Sequence, residues 1–336
     1  MLFFQSGRAG SPNALPYDMF DADRSGAEAR RARRMESIYH LGQAKIWDGR
    51  EVLAALIAKH GPPKLAPKER KALARVFAII MWGELAAWKI SAQLADAIVP
   101  LEGKLAAASQ VHDEARHFYV MHDYLEALGE KPPKMEYWAR RVVEMTLGTD
   151  DLVKKLLGMQ LTIETIALVI FQRVRELDVE PVLSELLVYY EKDEARHVGL
   201  GVQMLPPLMA KMKPREAIGV AAFQVDLLMS TLISLKRIEP ELLSIGVDPR
   251  SILGIGFRKQ MEVGELIRAE FPLWPDDGPV RRLFESVSEV LFPSEGKSAH
   301  VPVPTRIAHA VDVFRRLRPS VQEQWSKRAA SRVDAA

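Results

Sequence analysis

The sequence of 336 residues contains no cysteine. This absence excludes disulfides, thiolate zinc sites and iron–sulfur clusters. An excess of one charge is also missing, because 46 basic residues stand against 44 acidic ones. Such a balance predicts no nucleic-acid partner. The first residues, Met1–Gln5, lack the long apolar core that marks a secretory signal. We therefore expect a soluble cytoplasmic protein.

Long uninterrupted apolar runs are scarce as well. The most apolar stretch, residues 218–235, is interrupted by Gln224 and Asp226 and is short for a membrane span. We interpret it as a buried helix, so no association with a membrane is predicted.

Helical spacing of apolar residues dominates the chain, and no stretch alternates steadily between apolar and polar residues. Proline and glycine cluster between long segments, as expected where turns join helices. The sequence therefore predicts an all-α protein. Helices are expected at about 27–47, 49–60, 67–98, 104–128, 137–145, 150–177, 181–205, 214–237, 249–270, 280–292 and 305–330. The helix that starts at Pro181 is expected to break at Pro206 and Pro207.

One pentapeptide, Asp-Glu-Ala-Arg-His, occurs twice, at Asp113–His117 and at Asp193–His197. A single glutamate precedes each copy at the same distance, Glu84 before the first and Glu164 before the second. Within each copy the Glu and the His are three residues apart, so both lie on one face of a helix. Four helices thus supply four carboxylates and two imidazoles. The candidate ligands are Glu84, Glu114, His117, Glu164, Glu194 and His197.

The surroundings of the two single glutamates favour a metal site over a solvated surface. Glu84 and Glu164 both lie inside strongly apolar helical stretches, where an isolated carboxylate would cost several kcal/mol unless it is paired or bound to a metal. Carboxylates combined with imidazoles, without thiolates, suit iron or manganese.

The repeated motif also predicts the residues that surround the ligands. Asp113 and Asp193 can accept a hydrogen bond from the distal nitrogen of a ligand histidine and so orient its ring. Pseudo-two-fold symmetry predicts that Asp113 serves His197 and that Asp193 serves His117. Arg116 and Arg196 would then balance the negative charge. The alternative is that these aspartates and arginines form ordinary surface ion pairs.

Two Asp-Glu-x-Arg-His motifs, each preceded by a helical glutamate, resemble the ferritin-like superfamily of di-iron carboxylate enzymes. The resemblance implies a four-helix bundle with additional N- and C-terminal helices. It covers residues 67–205, which we expect to form the di-metal bundle. Residues 1–66 are expected to form an N-terminal extension with helices, and residues 206–336 additional helices packed on the bundle.

Several positions separate this sequence from individual branches of that superfamily. Met121 occupies the position of the radical tyrosine of the ribonucleotide reductase small subunit. Met159 and Ala86 occupy the positions that form a Tyr–Val cross-link in the ligand-binding oxidase relatives. Tyr190 stands where the arylamine N-oxygenases have a third histidine. It is the candidate catalytic residue, with a role in lining the substrate pocket, in hydrogen-bonding a bound oxygen species or in relaying an electron. The alternative is a tyrosine that packs in the bundle with its hydroxyl satisfied.

The resemblance implies an oxidoreductase that uses two iron ions, or manganese and iron, and O₂ as co-substrate to oxidise or oxygenate a small organic molecule, as a monooxygenase does. The expected partners are that substrate, an electron donor or reductase and, as one option, a second copy of the chain in a homodimer. Two alternatives stay open: a radical-generating or oxidase subunit of the ribonucleotide reductase small-subunit type, and a bundle that binds iron without catalysis.

Overall fold

The computed structural model of the chain describes residues 26–256, 258, 265, 278–293 and 300–316. All regular elements in these ranges are helices, which confirms the all-α class. The chain divides into two compact units, Met1–Trp274 and Pro275–Ala336. The first contains α1 (Gly26–Ala44), α2 (Gly49–His60), α3 (Pro67–Ala97), α4 (Leu101–Ala127), α5 (Tyr137–Gly148), α6 (Leu152–Leu156), α7 (Glu164–Glu176), α8 (Pro181–Met209), α9 (Pro214–Arg237), α10 (Glu239–Ser244) and α11 (249–256).

Two helical hairpins form the central bundle. Helix α3 packs along α4, α7 packs along α8, and α4 contacts α8 between the hairpins. Proline opens both α3 and α8, where its fixed φ angle suits the first helical turn and its missing N–H is not needed. The side chain of Glu180 caps α8 by accepting a hydrogen bond from the backbone N–H of Leu183. These starts fix the ends of the helices that carry the predicted ligands.

The third helix of the bundle is not continuous. The sequence predicts one helix from Asp150 or Asp151 to Leu177, and Asp151 does cap its start. Between α6 and α7, however, Leu157–Ile163 form a π-helix. The backbone N–H of Glu164 donates to the carbonyl of Met159, five residues earlier. The wider turn rotates the residues after it, so it helps to set the direction of the Glu164 side chain.

The prediction that α8 breaks at Pro206 and Pro207 is wrong. The helix continues to Met209, and the backbone N–H of Ala210 donates to the carbonyl of Pro206 at 3.0 Å. Each proline removes one helical donor, but both lie close to the C-terminal end. The unpaired carbonyls are therefore confined to the last turns of the helix.

The remaining helices of the first unit surround the bundle. Helix α1 packs on α4 and α8, α2 packs on the same two helices, and α5 lies between α3 and α9. Helix α9 is the one helix in the described ranges with the length and apolar composition to cross a membrane. Leu227, Leu232 and Leu235 in its C-terminal half are buried, whereas Ile218 near its start is exposed. Core helices of soluble proteins pass the same test, so this composition is weak evidence for a membrane span.

The second unit contains α12 (Gly278–Leu291) and α13 (Val303–Arg316), which pack against each other. Phe284, Phe292 and Ala310 are the buried apolar side chains described in this unit. Residues beyond 316 in the predicted last helix, and most of the predicted helix 249–270 beyond residue 256, lie outside the described residues. The division into 1–66, 67–205 and 206–336 stays a prediction.

Candidate metal centre

The bundle brings all six predicted ligand residues into one buried cluster. Their side chains are 0 to 4% exposed. Within the cluster two groups each have ligand atoms within 4.8 Å of one another, a distance that one metal ion could span. The first group is Glu84, Glu114, His117 and Glu194, and the second is Glu114, Glu164, Glu194 and His197.

The first group surrounds the Nδ1 atom of His117. This atom lies 3.2 Å from Oε1 of Glu194, 3.6 Å from Oε2 of Glu84 and 3.7 Å from Oε2 of Glu114. One imidazole nitrogen therefore faces oxygens of three carboxylates, and each carboxylate comes from a different helix of the bundle.

The second group surrounds the Nδ1 atom of His197. This atom lies 3.0 Å from Oε2 of Glu194, 3.2 Å from Oε1 of Glu114 and 3.4 Å from Oε1 of Glu164. Glu114 and Glu194 thus take part in both groups, and each turns a different oxygen to each histidine. This is the arrangement needed for two carboxylates to bridge two ions, with Glu84 and Glu164 at the two ends.

The hydrogen bonding of the cluster fits a pair of metal ions. Oε2 of Glu114, Oε1 of Glu194 and Nδ1 of His117 are buried and have no hydrogen-bond partner within the described part of the chain. Buried polar atoms without partners are rare because each costs free energy. All three are ligand atoms of the two groups, so metal ions would satisfy them. The residues present therefore fit a di-metal site.

The aspartates of the two motifs lie against the far side of the histidines. Nε2 of His117 is 3.1 Å from Oδ2 of Asp193, and Nε2 of His197 is 3.3 Å from Oδ2 of Asp113. Each histidine therefore meets the aspartate of the other motif. When Nε2–H donates to the aspartate, Nδ1 carries no proton and is free to bind a metal.

Both arginines of the motifs form ion pairs with the same two aspartates. Nη2 of Arg116 is 2.5 Å from Asp113 and 2.8 Å from Asp193, and Nη2 of Arg196 is 2.9 Å and 2.7 Å from the same pair. The four side chains form a closed ring of ion pairs that is largely buried. They are not the isolated surface pairs of the alternative interpretation.

One residue of this network, Trp47, was missed by the sequence analysis. Its indole Nε1–H donates to Oδ2 of Asp193 at 2.9 Å, and the guanidinium of Arg116 lies 4.6 Å from the centre of its ring. Trp47 lies in the connection between α1 and α2, far from the motifs in sequence. Periodicity carries no signal for such a residue. It makes the two halves unequal, because Asp193 gains a donor from it.

Two amides continue the cluster beyond the carboxylates. Nε2 of Gln110 donates to Oε1 of Glu114 at 2.9 Å and to Oε1 of Glu164 at 2.5 Å. Nε2 of Gln160 donates in turn to Oε1 of Gln110 at 2.6 Å. Both glutamine side chains are buried. Glu164 is therefore held by a hydrogen-bonded chain that crosses from α4 to the π-helix.

Tyr190 of helix α8 lies beside His117. The two rings are stacked, with centroids 4.2 Å apart and planes inclined by 21°. The hydroxyl donates to the backbone carbonyl of His117 at 2.7 Å. Burial raises the pKa of the Tyr190 phenol well above its ordinary value. The residue thus has the geometry of a side chain that positions a ligand.

Burial and charge divide the protons of the cluster unequally. Burial raises the pKa of Glu84 and of Glu164 well above the ordinary glutamate value. Burial acts on Glu114 in the same direction, but the charge of His197 opposes it, and that pKa lies well below the ordinary value. Burial opposes the charging of both imidazoles, yet the surrounding carboxylates raise the pKa of His117 and His197 well above the usual range. Protons and metal ions therefore compete for the same atoms.

Comparisons with known proteins place the fold. No family model matches the sequence, and no curated protein matches it. Among solved structures, the chain is similar to a protein with aldehyde deformylating oxidase activity from Synechococcus, with 19% identity and a TM-score of 0.55 over 66% of this chain and 97% of that one. It also matches two variants of an R2-like ligand-binding oxidase with an aerobically reconstituted Mn/Fe cofactor. Their identities are 13% and 12%, their TM-scores are 0.46, and each match covers 91% of this chain and 97% or 96% of the other.

The first of these similarities shows that the chain has the fold of the ferritin-like helical proteins. Within that fold the chain carries a buried set of four carboxylates and two histidines able to bind two metal ions.

Proposed function

We propose that this protein is an oxidoreductase that activates O₂ at a di-iron or manganese–iron centre and oxidises or oxygenates a small organic molecule. One observation carries the proposal. Glu114 and Glu194 each present one oxygen to His117 and the other to His197. A site for a single ion would not need two histidines that share two carboxylates. Two metal ions held by these residues would supply electrons for the reduction of O₂.

The ligand roles follow from which atoms face each other. Glu84 and His117 would hold one ion, Glu164 and His197 the other, and Glu114 and Glu194 would bridge them. These roles agree with the membership of the two groups, because Glu114 and Glu194 belong to both. The set contains more ligands than the three protein groups and a water of a typical catalytic zinc site. It is rich in oxygen donors, which favours iron and manganese.

The protein's own residues prepare the site for this chemistry. Asp193 and Asp113 accept from the histidines and keep each ring in one tautomer. Gln110 donates to Glu114 and Glu164 and so restricts the rotation of both carboxylates. Burial of the whole cluster excludes bulk water, which protects reactive species from side reactions.

The electron balance of the reaction calls for a partner. Inserting one oxygen atom into a C–H bond while the other becomes water uses two electrons from the substrate and two from a donor, together with two protons. We therefore propose an electron donor or reductase as a partner of this chain. A two-electron dehydrogenation with release of water has the same demand.

A radical-generating subunit is the second candidate function, and the stacking of Tyr190 on His117 is the observation that favours it. Oxidation of a tyrosine to its neutral radical needs a base for the phenolic proton, and here the hydroxyl donates to a backbone carbonyl, which is no base. Met121, where a radical tyrosine would stand, is buried. The absence of a base at the Tyr190 hydroxyl and the methionine at position 121 favour oxidation of a bound small molecule over formation of a tyrosyl radical. Storage of iron without catalysis would not need histidines that are each oriented by an aspartate.

The experiment that tests the proposed function measures O₂ consumption by the Fe(II)-loaded protein in the presence of candidate metabolites. We expect one class of substrate to accelerate O₂ consumption and to give a product whose mass differs by one oxygen atom or two hydrogen atoms. A long-lived tyrosyl radical formed without substrate, together with support of ribonucleotide reduction, would favour the second candidate. Repeated turnover of Fe(II) without any organic product would favour iron storage.

A further inference from the structure

Gln160 has a buried acceptor atom that the metal ions do not account for. Its side chain is 0% exposed, and its Oε1 has no hydrogen-bond partner among the residues that the structure describes. The unpartnered atoms of Glu114, Glu194 and His117 face the two proposed ions. Gln160 is not among the ligand groups, so its free oxygen needs another explanation.

The chain of amides fixes which atom of Gln160 is left over. Gln110 turns its NH₂ group to the carboxylate oxygens of Glu114 and Glu164, which accept from it. Oε1 of Gln110 is then the acceptor at the next step, and Gln160 must supply the donor. Gln160 cannot flip without breaking this order. Its remaining atom is an oxygen, which calls for a donor.

The residues next to Gln160 in the sequence are apolar and buried. Leu157, Met159 and Leu161 of the same turns belong to one buried hydrophobic cluster, which also contains Leu200 and Met204 of α8. Helix α8 packs against Gln160 at Gly201, where an added Cβ atom would lie 2.5 Å from Cβ of Gln160. Gln160 is thus a buried polar side chain among apolar ones, and the amide chain joins it to the candidate metal ligands.

We infer that Oε1 of Gln160 accepts a hydrogen bond from the substrate, which is therefore an apolar molecule with a hydroxyl or another uncharged hydrogen-bond donor. The inference rests on the proposed function and names the substrate class of the same site. A carboxylate group is disfavoured there, because it would bring a negative charge to a neutral acceptor that Gln110 links to the carboxylates of Glu114 and Glu164. A single hydrogen bond to Oε1 of Gln160, among apolar side chains, would orient the molecule through its donor group.

The test compares isomers that differ only in the ability to donate. A series of straight-chain primary alcohols, each beside its isomeric methyl ether and the carboxylate of equal chain length, is titrated calorimetrically into the full-length protein. The titrations are done without O₂, once with Fe(II) bound and once metal-free. We expect one chain length at which the alcohol binds at least about tenfold more tightly than the ether, because the ether leaves the buried oxygen unpaired. The preference should persist without metal, where the alcohol cannot act as a metal ligand.

Two variants locate the effect. Gln160→Met keeps the size of the side chain and removes the acceptor, so the preference for alcohol over ether should disappear. Thr162→Val is the matched control, since Thr162 is buried in the same π-helix and its hydroxyl donates to the carbonyl of Leu157. This control should keep the preference. If Gln160→Met does not fold, the comparison of isomers in the unchanged protein still decides.

The inference and the proposed function fail in different ways. Equal binding of alcohol and ether by the unchanged protein, tighter binding of the carboxylate, or no binding of any alcohol would overturn the role of Gln160. Each of these results can coexist with two bound metal ions and substrate-accelerated O₂ consumption. Loss of the proposed function would instead show as a failure to bind two metal ions in the same samples, measured by elemental analysis.

Discussion

The distal nitrogen of His117 lies 3.1 Å from the carboxylate of Asp193, a residue of the other copy of the repeated motif. His197 and Asp113 make the reciprocal pair at 3.3 Å. Each copy thus supplies a candidate ligand histidine and the acceptor that orients the histidine of the other copy. Substitution of one aspartate should therefore affect the histidine on the opposite helix.

Asp193→Asn preserves size but replaces the charged acceptor of His117 with an amide. We expect metal affinity or activity to fall by about 10- to 100-fold, as is typical when such a partner is lost. Asp113→Asn should have a similar effect through His197, and Asp123→Asn, a more exposed acid on the same helix α4, should have none. Parent-like metal affinity and turnover in both motif variants would show that these aspartates have no role at the centre.

Metal uptake should depend steeply on pH. The raised pKa values of Glu84, Glu164, His117 and His197 mean that the metal-free cluster holds protons that the metal ions must displace. A group with a raised pKa keeps its proton to higher pH, so metal affinity should rise as pH increases and fall as pH decreases. Titration with Fe(II) in a weak buffer should release up to four protons per pair of ions. Proton-free uptake with affinity independent of pH would contradict these shifts.

Tyr190→Phe removes one hydroxyl and keeps the ring stacked on His117. We expect both metal ions to stay bound, because the phenol is not a ligand, and the free energy of unfolding to fall by about 1 kcal/mol. The coupling of O₂ consumption to product, or the substrate preference, should change because the backbone carbonyl of His117 loses its hydrogen bond from the phenol. Tyr124→Phe is the control. It also removes a buried hydroxyl, one that donates to Glu180 and not to His117. If Tyr190→Phe changes neither the coupling of O₂ consumption to product nor the substrate preference, the role of Tyr190 is packing only.

Gly201→Ala should perturb the amide chain through packing. The added Cβ would lie 2.5 Å from Cβ and 3.0 Å from Cγ of Gln160, so one helix must shift. We expect a loss of about 1–3 kcal/mol of stability in chemical denaturation. Gly199→Ala on the same helix meets only Cδ1 of Ile38 at 3.5 Å, and alanine should stabilise a helix interior there. Equal stability of the two variants would mean that α8 does not pack closely against Gln160 at Gly201.

The sequence predicted the elements of the site that depend on periodic spacing. Glu114 and His117 lie on one helical face because they are three residues apart, and the identical second copy implies the symmetric partner. The π-helix before Glu164 could not be predicted in this way, since its wider turn follows from packing between helices and leaves an ordinary apolar pattern. Trp47 reaches Asp193 from a connection between helices, where no periodicity exists.

Local sequence rules also gave one wrong expectation. Two adjacent prolines normally end a helix, but Pro206 is buried in α8, which ends only at Met209. Burial of these last turns in the bundle offsets the missing backbone donors. Tertiary packing of this kind cannot be seen in a single segment of sequence.

The most direct test of the account is the number of metal ions bound per chain, measured by elemental analysis after anaerobic loading with Fe(II) or with Mn(II) and Fe(II). The account predicts two ions per chain in the unchanged protein. Glu114→Ala and His197→Ala should lose most of that metal, whereas Glu185→Ala, an exposed acid on α8 paired with Lys59, should retain it. One tightly bound zinc ion per chain with full activity would contradict the account.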